Sequence, residues 1–238
     1  MLENMAIYWG IGLAFFAAEY LWPARPLSYR KVFLYDVLAL AVYQLFFFYA
    51  VQVTDRIPIP DYVNWRLHAL PFVLRVIVFV LAADCGAYWM HRLWHTPWFW
   101  RIHKWHHSPT TLYWLAGVRA SLPQVVMANL PFIIALPLLR PVPPAFFAFY
   151  GYAMILTNNW MHMNVSWESR WLEWVIVTPR YHRLHHSTDP AFSGRNLGVL
   201  FTIWDRLFGT YVNPEVADAN VSYGIQESAH PVRLAIGI

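Results

Sequence analysis

Five long apolar segments are the strongest constraint on the fold of this chain. They cover residues 5–22, 33–53, 69–90, 123–139 and 143–162, and each carries few charges. Each is near the roughly 17–25 residues that a helix needs to cross a bilayer. Apolar residues form 58% of the chain, more than the roughly 45–50% of soluble domains. The sequence therefore predicts an all-α integral membrane protein with about four to five transmembrane or re-entrant helices.

Two of these segments allow more than one interpretation. The fourth is short and is joined to the fifth by a proline-rich connection at 140–144, so the pair could form a hairpin that dips into the bilayer. The first follows a leader, residues 1–4, that has no Lys or Arg, and further apolar segments come after it. We therefore expect a retained helix there and not a secretory signal.

Nine of the eleven histidines fall into four clusters. Two clusters share the pattern His-x-x-His-His, one is a His-x-x-x-His pair near the end of the third segment, and one histidine ends the fifth segment. The nine are His91, His95, His103, His106, His107, His162, His182, His185 and His186. The other two, His68 and His230, fit no such spacing, and we expect them to be structural or interfacial.

The spacing of the nine histidines predicts a metal centre with two ions. Positions i and i+4 share one face of a helix, whereas adjacent positions diverge by about 100° around its axis. One His-x-x-His-His helix can therefore supply ligands to two ions. Nine nitrogens are too many for one tetrahedral or octahedral ion and about right for two.

The residue types narrow the choice of metal. Neutral imidazole suits zinc, copper, iron and nickel alike. The zinc peptidase motif His-Glu-x-x-His is absent, because His91 is followed by Arg92, Leu93 and Trp94. Cys85 is the only cysteine, which excludes an intrachain disulfide and a zinc site built on several cysteines. These observations favour a redox metal.

Ligating histidines usually donate their second ring N–H to a carboxylate, an amide or a backbone carbonyl. Asp84 is the main candidate for this role, because an acid inside an apolar helix needs a partner, although a pairing with Arg75 or another arginine would also explain it. Asn158 and its neighbours near His162 are further candidates.

The distribution of charge indicates the orientation of the helices. The net charge is +4, but the basic residues flank apolar segments and form no contiguous stripe, so nucleic-acid binding is not expected. The short loop 23–32 carries Arg25, Arg30 and Lys31. By the positive-inside rule, this loop and the histidine clusters on the same side should face the cytoplasm.

In five blocks the chain resembles the fatty acid hydroxylase/sterol desaturase superfamily of membrane-bound, histidine-rich di-iron enzymes. The order and spacing of the histidine blocks carry the resemblance, and a tryptophan-aspartate block near Tyr211 adds an independent match. The blocks are DCGAYWMHRLWH (84–95), HKWHHSP (103–109), NNWMHMN (158–164), TPRYHRLHHS (178–187) and NLGVLFTIWDRLFGTY (196–211).

The resemblance implies one domain over 1–238, with a histidine core at 84–211 and a variable tail at 212–238. It implies a four-helix membrane base under a histidine-rich cytosolic helical cap, two iron ions held by the nine histidines, and O2-dependent hydroxylation or desaturation of a lipid. Some members of the superfamily have a histidine where this chain has Asn158, so we expect nine imidazoles and an altered ligand set at that position.

Electrons for such a reaction would come from a separate donor, a ferredoxin or a cytochrome b5-type protein with its reductase. The sequence has neither a dinucleotide-binding G-x-G-x-x-G nor a fused haem motif.

The sequence is also compatible with two other functional classes. A zinc-dependent membrane hydrolase could use the same histidines, although no general-base glutamate adjoins them. A metal transporter or a haem carrier would be non-enzymatic. A transporter should place its ligands near the bilayer midplane, whereas these histidines lie at helix ends and in polar segments.

Overall fold

A computed structural model describes residues 2–29, 36–37, 39–41, 69–139, 144–216, 221–225 and 230–238. The α-helices whose bounds lie within these residues are α1 (Leu2–Leu21), α2 (Phe72–Trp94), α3 (Trp100–His103), α4 (Leu122–Ala135), α5 (Pro144–Met161), α6 (Arg170–Glu173), α7 (Pro179–His185), α8 (Ile203–Leu207) and α9 (Pro231–Ile236). The described residues contain no β-strand, only three isolated bridges. For this part of the chain, the prediction of a helical fold is confirmed.

Two helices in the described ranges are long and apolar enough to cross a membrane. They are Phe72–Trp94, which is α2, and Leu122–Leu139, which joins α4 to the 3-10 turn Leu136–Leu139. A shorter apolar helix, Ala6–Leu21, lies within α1. These three helices coincide with the first, third and fourth predicted segments.

The remaining predicted segments are described only in part. Helix α5 covers the fifth segment. Most of the second, 33–53, and the connection 140–143 between the fourth and fifth lie outside the described residues.

Helices α2 and α4 pack closely together. A Cβ atom built on Gly86 would lie 2.9 Å from the Cβ of Pro131 in α4, so glycine permits this approach. Nearby, the rings of Phe79 and Phe132 meet edge to face with centroids 5.4 Å apart. This contact fixes the position of α2, whose C-terminal end carries His91 and His95.

Helix α1 is fastened to the loops around the histidines by Glu19, which is buried. Its Oε1 accepts hydrogen bonds from the backbone N–H groups of Trp114 (2.6 Å) and Asn164 (2.8 Å). Its other oxygen accepts from the Tyr29 hydroxyl. One carboxylate therefore ties α1 to the segment before Gly117 and to the segment after His162.

Candidate metal centre

The structure brings all nine clustered histidines together in two groups. The five-histidine group comprises His91, His95, His103, His107 and His185. The four-histidine group comprises His106, His162, His182 and His186. Within each group the candidate ligand atoms lie within 4.8 Å of one another, so each group could hold a metal ion.

Five chain elements deliver these side chains. His91 is in the last turn of α2 and His95 is its C-cap. The second cluster begins at the end of α3 and continues in a turn, in which the N–H of His107 donates to the carbonyl of His103. His162 follows α5, and the fourth cluster occupies α7 and its C-cap.

Helix α7 begins where the sequence requires it to. The Thr178 hydroxyl accepts a hydrogen bond from the N–H of Tyr181 at 3.2 Å, and Pro179 occupies the first turn, where its missing N–H costs nothing. His182 and His186 then lie one turn apart, with His185 on a different face.

The grouping follows helical geometry. Each pair spaced i and i+4 lies in one group: His91 with His95, His103 with His107, and His182 with His186. Each adjacent pair is divided between the groups. The groups adjoin, since the rings of His107 and His186 stack with centroids 4.3 Å apart.

Three ring nitrogens converge tightly in the four-histidine group. The Nε2 atoms of His162, His182 and His186 are separated by 3.1, 3.1 and 3.0 Å. Lone pairs this close repel each other unless a proton or a cation lies between them. The centre of such a triangle is about 1.8 Å from each corner, close to the roughly 2.0–2.1 Å of a zinc–imidazole bond. These nitrogens therefore fit one metal ion.

The five-histidine group also fits a metal ion, as its unpaired ring nitrogens indicate. The Nε2 atoms of all five rings are buried and make no hydrogen bond to the protein; they belong to His91, His95, His103, His107 and His185. Buried polar atoms are rarely left without a partner. Five such atoms facing one another have the chemistry of a metal site.

Burial also keeps these rings in the form that binds metals. All of the nine are buried except His95, which is partly exposed. Desolvation by burial is the main cause that lowers the pKa well below the ordinary value for the histidines outside the apolar helices, which are His95, His103, His106, His107, His182, His185 and His186. Only the neutral ring has a lone pair to donate, so these sites are prepared for cations.

Backbone carbonyls orient four of the rings. The Nδ1 atom of His91 lies 2.8 Å from the Leu197 oxygen, and that of His185 lies 2.9 Å from the Arg195 oxygen. In the other group, the Nδ1 of His106 pairs with the Arg119 oxygen at 3.1 Å and that of His162 pairs with the Asn158 oxygen at 2.6 Å. Donation from Nδ1 fixes the tautomer that leaves Nε2 free to bind a metal.

Asp84 acts differently from the expectation that it accepts a hydrogen bond from a histidine ring. Its carboxylate accepts from the N–H groups of Leu200 (2.9 Å) and Phe201 (3.0 Å) and from the indole N–H of Trp204 (2.8 Å). Asp84 therefore acts on the histidines indirectly, by holding the loop that carries Leu197, whose carbonyl orients His91. A carboxylate can bind a distant loop as readily as a ring, and the spacing of seven residues to His91 does not distinguish the two.

Asp205 is a site residue that was not predicted from the sequence. It is fully buried, and it accepts from the N–H groups of Leu197 and Gly198, both at 2.7 Å. It also accepts from the Tyr181 hydroxyl at 2.9 Å, beside His182 on α7. Asp84 and Asp205 thus hold the two ends of one loop. The sequence did contain a signal for Asp205, because this residue lies in the tryptophan-aspartate block that supports the resemblance to the family.

Asn158 holds the ring of His162 in place. It stands where some members of the family have a further histidine, but it adds no imidazole to the site. Its backbone oxygen pairs with the His162 ring, and its side-chain amide donates to the Gly117 oxygen at 2.8 Å. A Cβ on Gly117 would lie 2.5 Å from the Nδ1 of His162 and 2.8 Å from the Nδ2 of Asn158. The close approach of this glycine was not predicted, since only tertiary packing reveals it.

Of the two remaining histidines, His230 does not join the groups. His230 caps α9, where its Nδ1 accepts from the N–H of Val232 at 3.3 Å. This contact fits the structural role expected for His230. His68 lies outside the described residues.

The described residues form a helical protein with apolar helices and two adjoining groups of histidines that could each hold a metal ion. The family model for fatty acid hydroxylases matches residues 76–210. The chain belongs to the fatty acid hydroxylase family, and the resemblance found in the sequence is confirmed.

Several curated proteins are similar to this chain. The alkylglycerol monooxygenase of Xenopus tropicalis is 32% identical over 188 residues, which cover 78% of this chain and 40% of that protein. The human alkylglycerol monooxygenase is 30% identical over 189 residues, with the same shares. The ornithine lipid hydroxylase of Rhizobium tropici is 32% identical over 150 residues, 60% of this chain and 44% of that protein.

The chain thus spans less than half the length of these relatives. No solved structure matches it significantly.

Proposed function

We propose that this chain is an O2-dependent lipid hydroxylase or desaturase that binds two iron ions, one in each histidine group. The observation that carries the proposal is the division of nine buried imidazoles into two adjoining groups whose free nitrogens converge. Family membership supports iron over zinc. The nine histidines would be both the ligands and the catalytic centre, since every one belongs to a group.

Breaking an unactivated C–H bond is beyond any side-chain acid or base, so bound irons would supply the reduction of O2 and the cleavage of that bond. In a hydroxylation, one oxygen atom enters the C–H bond and the other leaves as water, with two electrons and two protons supplied from outside. In a desaturation, two hydrogens leave the lipid and both oxygens become water, again with two electrons and two protons supplied from outside. An external donor, a ferredoxin or a cytochrome b5-type protein with its reductase, would provide the electrons.

The residues of the chain bind, orient and shield in this scheme. The carbonyls of Leu197, Arg195, Arg119 and Asn158 fix the direction of four rings. Asp84 and Asp205 hold the loop 195–201, from which the carbonyls of Arg195 and Leu197 project. Burial excludes water, which strengthens electrostatic interactions and suppresses side reactions.

A lipid is the substrate class that fits the location of the centre. His91 and His95 lie at the end of an apolar helix long enough to span a bilayer, and His162 directly follows another apolar helix. A substrate chain in the membrane would meet the centre at this boundary. We propose four to five membrane helices within one domain, with the histidine-bearing segments of the core 84–211 gathered in a cap on the cytoplasmic face.

An alkyl ether lipid is the first substrate to test, because alkylglycerol monooxygenases from frog and human match 78% of this chain. An ornithine-containing lipid is the second, because the Rhizobium hydroxylase matches at a similar identity over a shorter region. The two differ in headgroup, so each can be offered in the same membrane.

The test is conversion of defined lipids by the purified iron-loaded protein in liposomes, with a reductant, a donor protein and 18O2. Mass spectrometry should show one lipid class gaining one labelled oxygen or losing two hydrogens, and His106→Ala should abolish the change. Conversion without O2, or with zinc in place of iron, would support the hydrolase alternative and overturn the proposal. An unchanged lipid pool with two irons bound and reduced would also count against it.

A further inference from the structure

The segments 171–177 and 200–208 form a surface with its apolar side chains outward. The exposed side chains of this surface are Trp171 (74% exposed), Trp174 (64%), Val175 (52%), Ile203 (47%) and Leu207 (62%). We call these five residues the apolar face. Soluble proteins rarely expose a contiguous apolar patch without a binding function.

The two segments are joined through their backbones. The N–H of Val177 donates to the Leu200 carbonyl at 2.9 Å, and the N–H of Thr202 donates to the Val175 carbonyl at 3.1 Å. Ile176 and Phe201 form an antiparallel bridge between these bonds. The apolar face is therefore one fixed surface and not two independent loops.

The polar side chains of the same segments point inward. Glu173, Thr202 and Asp205 are buried. Arg206 lies with its guanidinium 4.2 Å from the ring centroids of both Trp174 and Tyr211, and it donates to the Thr202 hydroxyl at 2.7 Å. This inverted pattern is expected where the surroundings are apolar and every polar group must find a partner within the protein.

The apolar face adjoins helix α2. The indole N–H of Trp204 donates to Asp84, and the ring of Phe208 stacks on Tyr88 with centroids 5.4 Å apart. Phe208 also contacts Trp89, at 4.8 Å. Asp84 precedes the last residue of α2 by ten positions, which is about 15 Å along the helix at 1.5 Å per residue. Helix α8 therefore lies beside the second half of a candidate membrane span and not beyond its end.

We infer that the apolar face is inserted in the bilayer, at the boundary between headgroups and acyl chains of the leaflet in which α2 ends. This inference rests on the proposal that α2 spans the membrane, because the face continues the exposed apolar side of that helix at Ile77 and Leu81. Tryptophan and partly shielded arginine are favoured at this depth.

Insertion of the apolar face would place helix α7, which carries three of the histidines, next to the bilayer. Glu173, behind the face, forms a two-bond ion pair with Arg180 on α7 at 2.8 and 2.7 Å. Asp205, also behind it, contacts Tyr181 on the same helix. The element that carries His182, His185 and His186 is thus seated directly on the membrane-inserted part, and a lipid need not leave the bilayer to approach it.

Cysteine labelling of the whole protein in liposomes tests this inference. Cys85 is the only cysteine, so Cys85→Ser gives a background for single labels once its iron content and activity match the wild type. An environment-sensitive fluorophore is placed at Ile203→Cys and Leu207→Cys. Ile77→Cys on α2 is the lipid reference, and Ser193→Cys, in an exposed polar loop, is the water reference. Quenching by nitroxide-labelled lipids is compared with quenching by aqueous iodide.

The expected result is that labels at 203 and 207 behave like the label at 77, with strong lipid quenching and weak iodide quenching. Iodide quenching at 203 and 207 equal to that at 193, with lipid quenching retained at 77, would overturn insertion alone. Shielding of 203 and 207 from both quenchers would overturn it in favour of a protein partner or a second copy. Iodide quenching at 77 as well would overturn insertion together with the membrane span itself.

Discussion

The two histidine groups have the same chemistry but depend on different parts of the chain for their geometry. In the five-histidine group, the carbonyls that orient His91 and His185 come from one loop, residues 195–201, near its two carboxylate anchors. In the four-histidine group, the carbonyls that orient His106 and His162 come from Arg119 and from α5, next to the close approach of Gly117.

This difference means that the groups can be perturbed separately. Loss of a carboxylate should loosen the five-histidine group, whereas added bulk near Gly117 should distort the four-histidine group. If two irons are bound, each kind of change should remove one iron before the other. Iron per chain is therefore an informative readout beside activity.

Removal of one imidazole from either group should have the largest effect. His185→Ala and His106→Ala should each lower activity at least ~100-fold, since even the partners of metal ligands are worth about 10–100-fold. Bound iron should fall in both variants while the protein still inserts in membranes. Full activity with unchanged iron in either variant would refute the assignment of that group.

Gly117→Ala should come next and should affect the four-histidine group. The added Cβ would lie 2.5 Å from the Nδ1 of His162, so the ring must move. Overpacking of this kind costs about 1–3 kcal/mol, and we expect activity to fall by ~10–100-fold with loss of about half of the iron. Gly10→Ala is the matched control, because its Cβ would meet nothing within 4 Å. Equal effects of the two substitutions would remove the special role of Gly117.

Asp205→Asn should weaken metal binding by the five-histidine group, although the asparagine side chain has almost the same shape as that of aspartate. The N–H groups of Leu197 and Gly198 bind different oxygens of Asp205, so the substituted amide places a donor against one of them and keeps an acceptor for the other. We expect activity to fall by about 10-fold, with the remaining iron held in the other group. Asp189→Asn, at an exposed turn, should leave both readouts unchanged. An unaltered iron content in Asp205→Asn would show that the loop does not position His91.

Asn158→Ala should have the smallest effect of the four. The change removes the amide that donates to the Gly117 oxygen but keeps the backbone carbonyl that orients His162. One hydrogen bond is worth about 0.5–1.5 kcal/mol, so a loss of roughly 2–10-fold is expected. A loss as large as that of His106→Ala would instead identify Asn158 as a metal ligand.

Helical spacing in the sequence predicted which histidine pairs share a group, but not how these pairs combine with each other, with His162 and with His185. The pairs spaced i and i+4 and the divided pair His106 and His107 follow directly from the local geometry. The apolar segments likewise predicted the bounds of α2 to within a few residues. Both features depend on neighbours in sequence, which is why a single chain reveals them.

The supports of the rings could not be predicted in the same way. Asp84 accepts hydrogen bonds from residues that lie at least 116 positions later in the chain. Gly117 contacts His162 only after α5 has packed. Asp205 lies in the tryptophan-aspartate block, but its partners on α7 and in the loop are brought to it only by the tertiary fold. The apolar face could not be predicted from the sequence either. Its exposed and buried residues alternate across two segments that only the tertiary fold joins.

The central claim is that each group holds one iron, and the most direct measurement is metal content combined with 57Fe Mössbauer spectroscopy of the intact protein in lipid. We expect two irons per chain, with the spectrum of an exchange-coupled pair that becomes a single uncoupled iron in Asp205→Asn or Gly117→Ala. One metal per chain in the wild type, or two irons without magnetic coupling, would contradict the paired centre.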